Sequence, residues 1–246
     1  MRLVATALTL AAGLVAVPAA AQDPAEPDTT KPLIIAFDLG YVNASGNTDV
    51  STLNLGEEVV WRRERWEWSQ GLTLVNGSTD GEETANLLTT FLRGDWLTTD
   101  RLSVYGLLNY DRNKFGGISG RFDEGLGLAY KIINSGFHQL DGELGAQLVQ
   151  QRSITGVDDN FAAGRVAGTY RLQILEGSYF LESLEYLPSL EDGGDFRVNN
   201  ETALVAPLAR QFALKLSYLV RFNNRPPEPD LGKSDRFFTA GLQISF

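Results

Sequence analysis

No cysteine occurs in the 246 residues. That excludes a disulfide framework, a lipid anchor on an N-terminal cysteine and any cysteine-ligated metal centre. Histidine is almost as scarce. His138 stands alone, so chemistry that pairs a nucleophile with a histidine base has one candidate. Basic residues are outnumbered, 21 against 31 acidic ones for a net charge of -10, which argues against electrostatic binding of nucleic acid. Beyond the N-terminus no apolar run approaches the ~18 residues that a membrane-spanning helix needs. The mean hydropathy is -0.13. Crossing a membrane as helices is excluded on these grounds. Crossing as a barrel is not, because barrel strands are apolar on one face only.

What is present starts with an export signal over residues 1–21: Arg2, an apolar core, a break at Pro18, and Ala19-Ala20-Ala21 before Gln22 as a small-residue cleavage site. The general secretory route is the expected path. Residues 22–32 are Pro-rich and acidic without apolar pattern, and read as a disordered periplasmic tether. From Leu33 to Phe246 one theme repeats: roughly ten residues of alternation, then a connection. Twelve such segments begin near Leu33, Val50, Trp66, Thr84, Leu102, Gly120, Gly136, Asn160, Ser178, Phe196, Gln211 and Asp235. Transmembrane strands need about 9–11 residues, which fits. In the last, Phe238, Ala240, Leu242, Ile244 and Phe246 share one face, and Phe237, Thr239, Gly241, Gln243 and Ser245 the other. The ninth, YFLESLEYL, breaks phase between Glu182 and Glu185, which predicts a bulge.

The connections sort by parity. RRER, TTDR, NSG, LEGS and LARQ are tight; ASGNTD, NGSTDGEE, NKFGGISG, SITGVDDN, EDGGD and NNRPPEPDLGKSD are longer and polar. The fold class expected is therefore all-β: a closed antiparallel transmembrane β-barrel of twelve strands, with short periplasmic turns, longer extracellular loops and both termini periplasmic. Trp61, Trp66, Trp68 and Trp96 gather near strand ends on the outward phase, as an interfacial belt would.

The final residues Thr239, Gly241, Ile244 and Phe246 resemble the C-terminal signal of bacterial outer-membrane barrels. The resemblance implies that a barrel-assembly machinery reads this strand. GYVNASGNTDVSTLNLG at residues 40–56, and the closing KLSYLVRFNNRPPEP and KSDRFFTAGLQISF, are similar to the salt-induced outer-membrane protein family, a family of unknown function. The similarity runs from about Leu33 to Phe246, with the SGNTD hairpin as its most distinctive part. It implies a barrel in the outer membrane of a Gram-negative cell and carries over no active site.

No residue earns a catalytic, cofactor or metal role. His138 follows a short turn and alternates with Leu140 on the lipid-facing phase, which is the position of an interfacial residue. Glu57 and Glu58 are adjacent and so face opposite sides of a strand; neither they nor Glu82 and Glu83 form a carboxylate pair for glycoside chemistry. Gly125 and Gly127 lack the lysine and the strand–turn–helix setting of a phosphate loop, and read as small residues on the lumenal phase. The acidic loop tips Asp80, Asp158, Asp159, Asp192 and Asp195 lack the ordered spacing of a calcium site.

The lumenal phase carries the functional reading. Arg165, Arg171, Arg197, Lys215 and Arg221 are expected to line one wall, and Asp38, Glu58, Glu67, Asp141 and Glu143 much of the remainder. Such charges either pair across a narrow lumen or set a transverse field in a water-filled pore. No connection is long enough for an obvious large plug. The function expected is a narrow channel for small polar or charged solutes. The alternative is a structural or envelope-stress barrel without transport, and a lipid-modifying enzyme is a distant third. The partners expected are outer-membrane lipid and lipopolysaccharide, the assembly machinery, and small polar solutes.

Overall fold

The computed structural model describes residues 32–44, 50–228 and 230–246. The export signal and nearly all of the tether fall outside the described residues, as does the SGNTD turn. The rest is strand: β1 (Leu33–Ala44), β2 (Val50–Arg63), β3 (Trp66–Thr79), β4 (Glu82–Leu97), β5 (Leu102–Asn113), β6 (Ile118–Asn134), β7 (His138–Ser153), β8 (Asp158–Leu175), β9 (Ser178–Pro188), β10 (Phe196–Ala209), β11 (Phe212–Asn223) and β12 (Ser234–Ser245). Each pairs antiparallel with its sequence neighbours, and β1 pairs with β12 to close the barrel. The closing seam is short. Its register runs only from Ala36↔Ser245 to Leu39↔Leu242, extended by hydrogen bonds between Ile35 and Phe246.

Alternation dictates which surface is which. Leu126, Leu144, Leu148 and Phe238 stand on the outside with more than half their surface exposed, while Val75, Leu87, Tyr105 and Val149 point in and are buried. The outer wall is therefore apolar and the inside mixed, the reverse of a soluble sandwich. Aromatics ring both ends. At the turn rim Trp66 stacks on Trp68 at 5.7 Å and meets Trp96 edge-on at 4.8 Å. Towards the loops Phe196 packs between Tyr186 and Phe222, 5.7 Å from each. Replacing Leu126, which projects from the outer wall between these girdles, by Arg should destabilise the barrel in lipid by about 2 kcal/mol, read from urea unfolding in vesicles.

Two expectations need correction. β9 has no bulge between Glu182 and Glu185, because its pairing with β10 and with β8 runs unbroken through both residues. Instead Glu182 faces out in phase, and its carboxylate accepts hydrogen bonds from Asn200 and from Thr202, the latter at 2.6 Å. A polar group on an apolar wall is tolerable only when so paired. The NGSTDGEE connection is not a loop either. Asp80 and Gly81, with φ of 52° and 80°, form the whole turn. Two consecutive left-handed residues make the hairpin turn whose twist matches that of the strands, so β3 and β4 run on through the polar residues beside it. Strands reach 18 residues in β8, longer than a membrane requires, so several loop-side strands project past the outer apolar band.

Candidate functional site

A cavity of about 1740 Å³ fills the bore. Its lining includes the turn-rim residues Thr99, Asp100, Arg101, Arg210 and Phe212 and extends to Arg121, Arg197 and Arg221 towards the loops. Every lumenal candidate from the sequence lies on this lining: Arg165, Arg171, Arg197, Lys215, Arg221, Asp38, Glu58, Asp141 and Glu143. Three layers of side chains organise it.

Nearest the turns, Lys215 of β11 donates to Asp38 of β1 at 2.6 Å and stands 3.8 Å from Glu201. Gln243 donates to the other Asp38 oxygen at 3.1 Å. Arg171 lies 3.5 Å above the Tyr179 ring, a cation–π contact rather than an ion pair. Asp141 stands cross-strand from Lys131, and Glu58 remains exposed to the bore.

In the middle, Arg93 of β4 forks onto Asp95 at 2.7 and 2.8 Å and reaches Glu143 of β7 at 2.8 Å. Arg165 of β8 donates to Glu143, to Glu185 at 2.7 Å and to the Tyr105 hydroxyl at 2.8 Å. Tyr105 is 1% exposed, with the Arg93 guanidinium 4.2 Å from its ring centre. Its hydroxyl sits against Gly127 and Gly145, paired across β6 and β7, where any Cβ would collide with it. Those glycines serve this close approach, as small lumenal residues.

At the loop end three arginines meet two carboxylates. Arg221 of β11 donates to Asp111 at 2.8 Å across the bore, since β5 lies half the ring away from β11. Arg121 stands 3.9 Å from Asp111, and Arg197 3.8 Å from Asp123. All but Arg221 are at least nine-tenths buried. Above them residues 224–228 and 230–233 cross the mouth. Asn224 donates to the Gly194 carbonyl at 2.8 Å and Arg225 pairs with Asp192 on one side; Leu231 and Pro227 rest on Gly117 on the other. This strap is no large plug: the mouth is already narrowed by long side chains, so a modest segment spans what remains.

The segregated walls are corrected. Glu185 and Glu201 stand among the basic residues, and Arg93 and Arg121 among the acidic ones, so the two signs interleave, and Arg165, Arg197, Arg221, Lys215, Asp38 and Glu143 each have an opposite charge within 4 Å. Reading the lumenal phase along β4, β5 and β6 — Arg93 and Asp95, Tyr105 and Asp111, Arg121 and Asp123 — exposes these partners in the sequence itself. His138 lies outside the bore, its Nδ1 2.7 Å from the Tyr170 hydroxyl. The acidic loop tips are held by bases and amides: Asp192 by Arg225, Asp158 by Arg152 at 3.2 Å, Asp159 by Gln151 at 3.4 Å.

An apolar outer wall, aromatic clusters at both ends and a closed ring around a charge-bearing bore define a transmembrane β-barrel. More particularly, the chain belongs to the family described as "Protein of unknown function, DUF481", whose model matches residues 37–246. It is similar to "Uncharacterized protein YdiY" of Escherichia coli (strain K12), 25% identical over 223 residues, which covers 91% of this chain and 86% of that one. Among solved structures the fold resembles the translocator domain of the autotransporter NalP from Neisseria meningitidis, with TM-score 0.51, 10% identity, and 89% and 90% of the two chains covered. The NanC porin matches with TM-score 0.49 and 10% identity over 86% of this chain and 97% of that one.

Proposed function

We propose that this protein is a narrow channel for small polar or charged solutes in the outer membrane of a Gram-negative cell, closed at its loop end by the arginine layer and the strap. The observation that carries this reading is the chamber of about 1740 Å³, of mixed lining with charged residues along its length, which opens at the turn rim and reaches Arg121, Arg197 and Arg221. Side chains fill an eight-stranded barrel, whereas twelve strands leave a lumen, and here charged side chains reach into it. The turn rim faces the periplasm in this reading, with both termini there. The tryptophan belt then sits at the inner-leaflet interface, and the loops meet lipopolysaccharide. Thr239, Gly241 and Ile244 on β12, with Phe246 directly after it, present the assembly signal.

Planar-bilayer recording tests the proposal. The native chain should give small, flickering steps. Replacing residues 226–232 by a short Gly-Ser turn should raise conductance several-fold, because the strap then no longer spans the mouth. Neutralising Arg165, Arg197 and Arg221 together should shift selectivity towards cations. Silence from both the native and the strapless chain would favour the second reading, a structural or envelope-stress barrel. The ion pairs that cross the bore, Arg221 to Asp111 above all, are the observation that supports that alternative.

A further inference from the structure

Beneath the strap, on the loop side of the arginine layer, lies a second, small cavity of about 40 Å³. Arg121, Arg197, Arg221 and Lys233 line it, against the carboxylates Asp111 and Asp235. Each carboxylate has one oxygen engaged. Asp111 Oδ1 accepts from Arg221 at 2.8 Å and from Thr89 at 2.9 Å, and Asp235 accepts from Asn113 at 2.7 Å; Asp111 Oδ2 has no hydrogen-bond partner among the described residues and lies 3.9 Å from Arg121. Two further cations have no carboxylate within hydrogen-bond distance. Lys233 has the neutral Asn224 side chain at 3.1 Å, and Arg197 approaches its nearest carboxylate, Asp123, only to 3.8 Å. Arg197 is 7% exposed, yet its Nη2 has no hydrogen-bond partner among the described residues. A buried guanidinium nitrogen without an acceptor is rare and calls for an explanation.

We propose that this cavity binds a small oxyanion, a carboxylate or a phosphate group, with Arg197 as its principal donor. Three facts converge on that class. The lining has more cations than anions. Guanidinium forks match the paired oxygens of carboxylate and phosphate. The volume exceeds the ~10–15 Å³ that one water requires, but leaves no room for a large ligand, so only a head group enters. Residues from β6, β10 and β11 and the strap meet at this one point, so an anion here bridges the strap to the barrel wall. The site deepens the channel reading by naming a solute class, and its bearing on transport rests on that reading. Binding itself does not.

The test uses the full chain folded in detergent micelles, titrated calorimetrically with inorganic phosphate, with acetate and with chloride at constant ionic strength. Saturable binding of phosphate, acetate or both, without saturation by chloride, is the expected result. Phosphate alone would point to a phosphorylated head group, acetate alone to a carboxylate solute. Arg197→Gln should weaken binding about tenfold, equivalent to ~1.4 kcal/mol. Lys233→Gln, a change on the strap that leaves the barrel wall intact, should weaken it less. Heats that do not saturate, or an affinity unmoved by both substitutions, would overturn the site. A barrel that binds phosphate but never conducts would leave the site standing and remove the channel; one that conducts without binding would do the reverse.

Discussion

Gly241→Val yields no closed barrel. A Cβ at this position would lie 2.5 Å from the Leu39 carbonyl oxygen, 2.9 Å from its carbon and 3.1 Å from the Gly40 Cα. All three are backbone atoms of β1, which cannot move aside as a flexible side chain can. The clash falls directly beside Leu39↔Leu242, the last pair of a seam whose register begins only at Ala36↔Ser245. Prising that pair apart leaves β1 and β12 as open edges, whose unpaired N–H and C=O groups have no water to turn to inside a bilayer. The expected readout is loss of the heat-modifiable, protease-resistant form on gels. Gly168→Ala is the control, since a Cβ there would meet only the Asp141 carbonyl oxygen, at 3.6 Å. Refolding into vesicles without cellular factors separates two causes. A steric seam predicts failure in cells and in vesicles alike, whereas a damaged assembly signal predicts failure in cells only. Normal refolding of Gly241→Val in vesicles would mean that the seam is looser than these contacts require.

The barrel was legible in the sequence because its governing variable is local. Lipid on one side and water or ion pairs on the other impose a period of two, and that period survives residue by residue through strands such as β11 and β12. Strand starts follow from it closely: Val50, Trp66, Leu102, Ser178 and Phe196 begin strands where the alternation begins. Where the reading failed, the deciding partner lay on another strand. Glu182 looks like a phase error until Asn200 and Thr202 are brought beside it. Asp80-Gly81 looks like part of a loop until the left-handed φ of both residues shows a hairpin turn. The lumen failed in the same way. Alternation tells that Arg165 and Arg221 point inwards but not which carboxylate each meets. Glu143 comes from β7, where the hairpin register with β8 sets it beside Arg165; Asp111 comes from β5, and only closure of the ring sets it opposite Arg221. The strap is least legible of all, since nothing in RPPEPDLGK fixes its course before Gly117, Asp192 and Gly194 are placed around the mouth.

Replacing Glu143 by Leu should cost about 3 kcal/mol and turn the bore towards anions. One carboxylate, its side chain 15% exposed, is shared by Arg93 and Arg165. Removing it breaks contacts to both and leaves two guanidinium groups beside Tyr105 with less to neutralise them. Asp95 and Glu185 still hold one edge of each arginine, which keeps the cost below that of stranding a fully buried charge. Leucine restores the lost volume, so the effect is electrostatic and not a cavity effect. Glu143→Gln separates charge from shape: it keeps an acceptor oxygen for one arginine and should show about half the loss. Unfolding in vesicles measures the stability, and the reversal potential under a salt gradient measures the selectivity. The two readouts must move together, because the same negative charge both anchors the arginines and offsets their field in the chamber. A stable Glu143→Leu barrel with unchanged selectivity would mean that the middle layer is solvated and uncoupled. In that case the three-layer description of the bore would lose its central member.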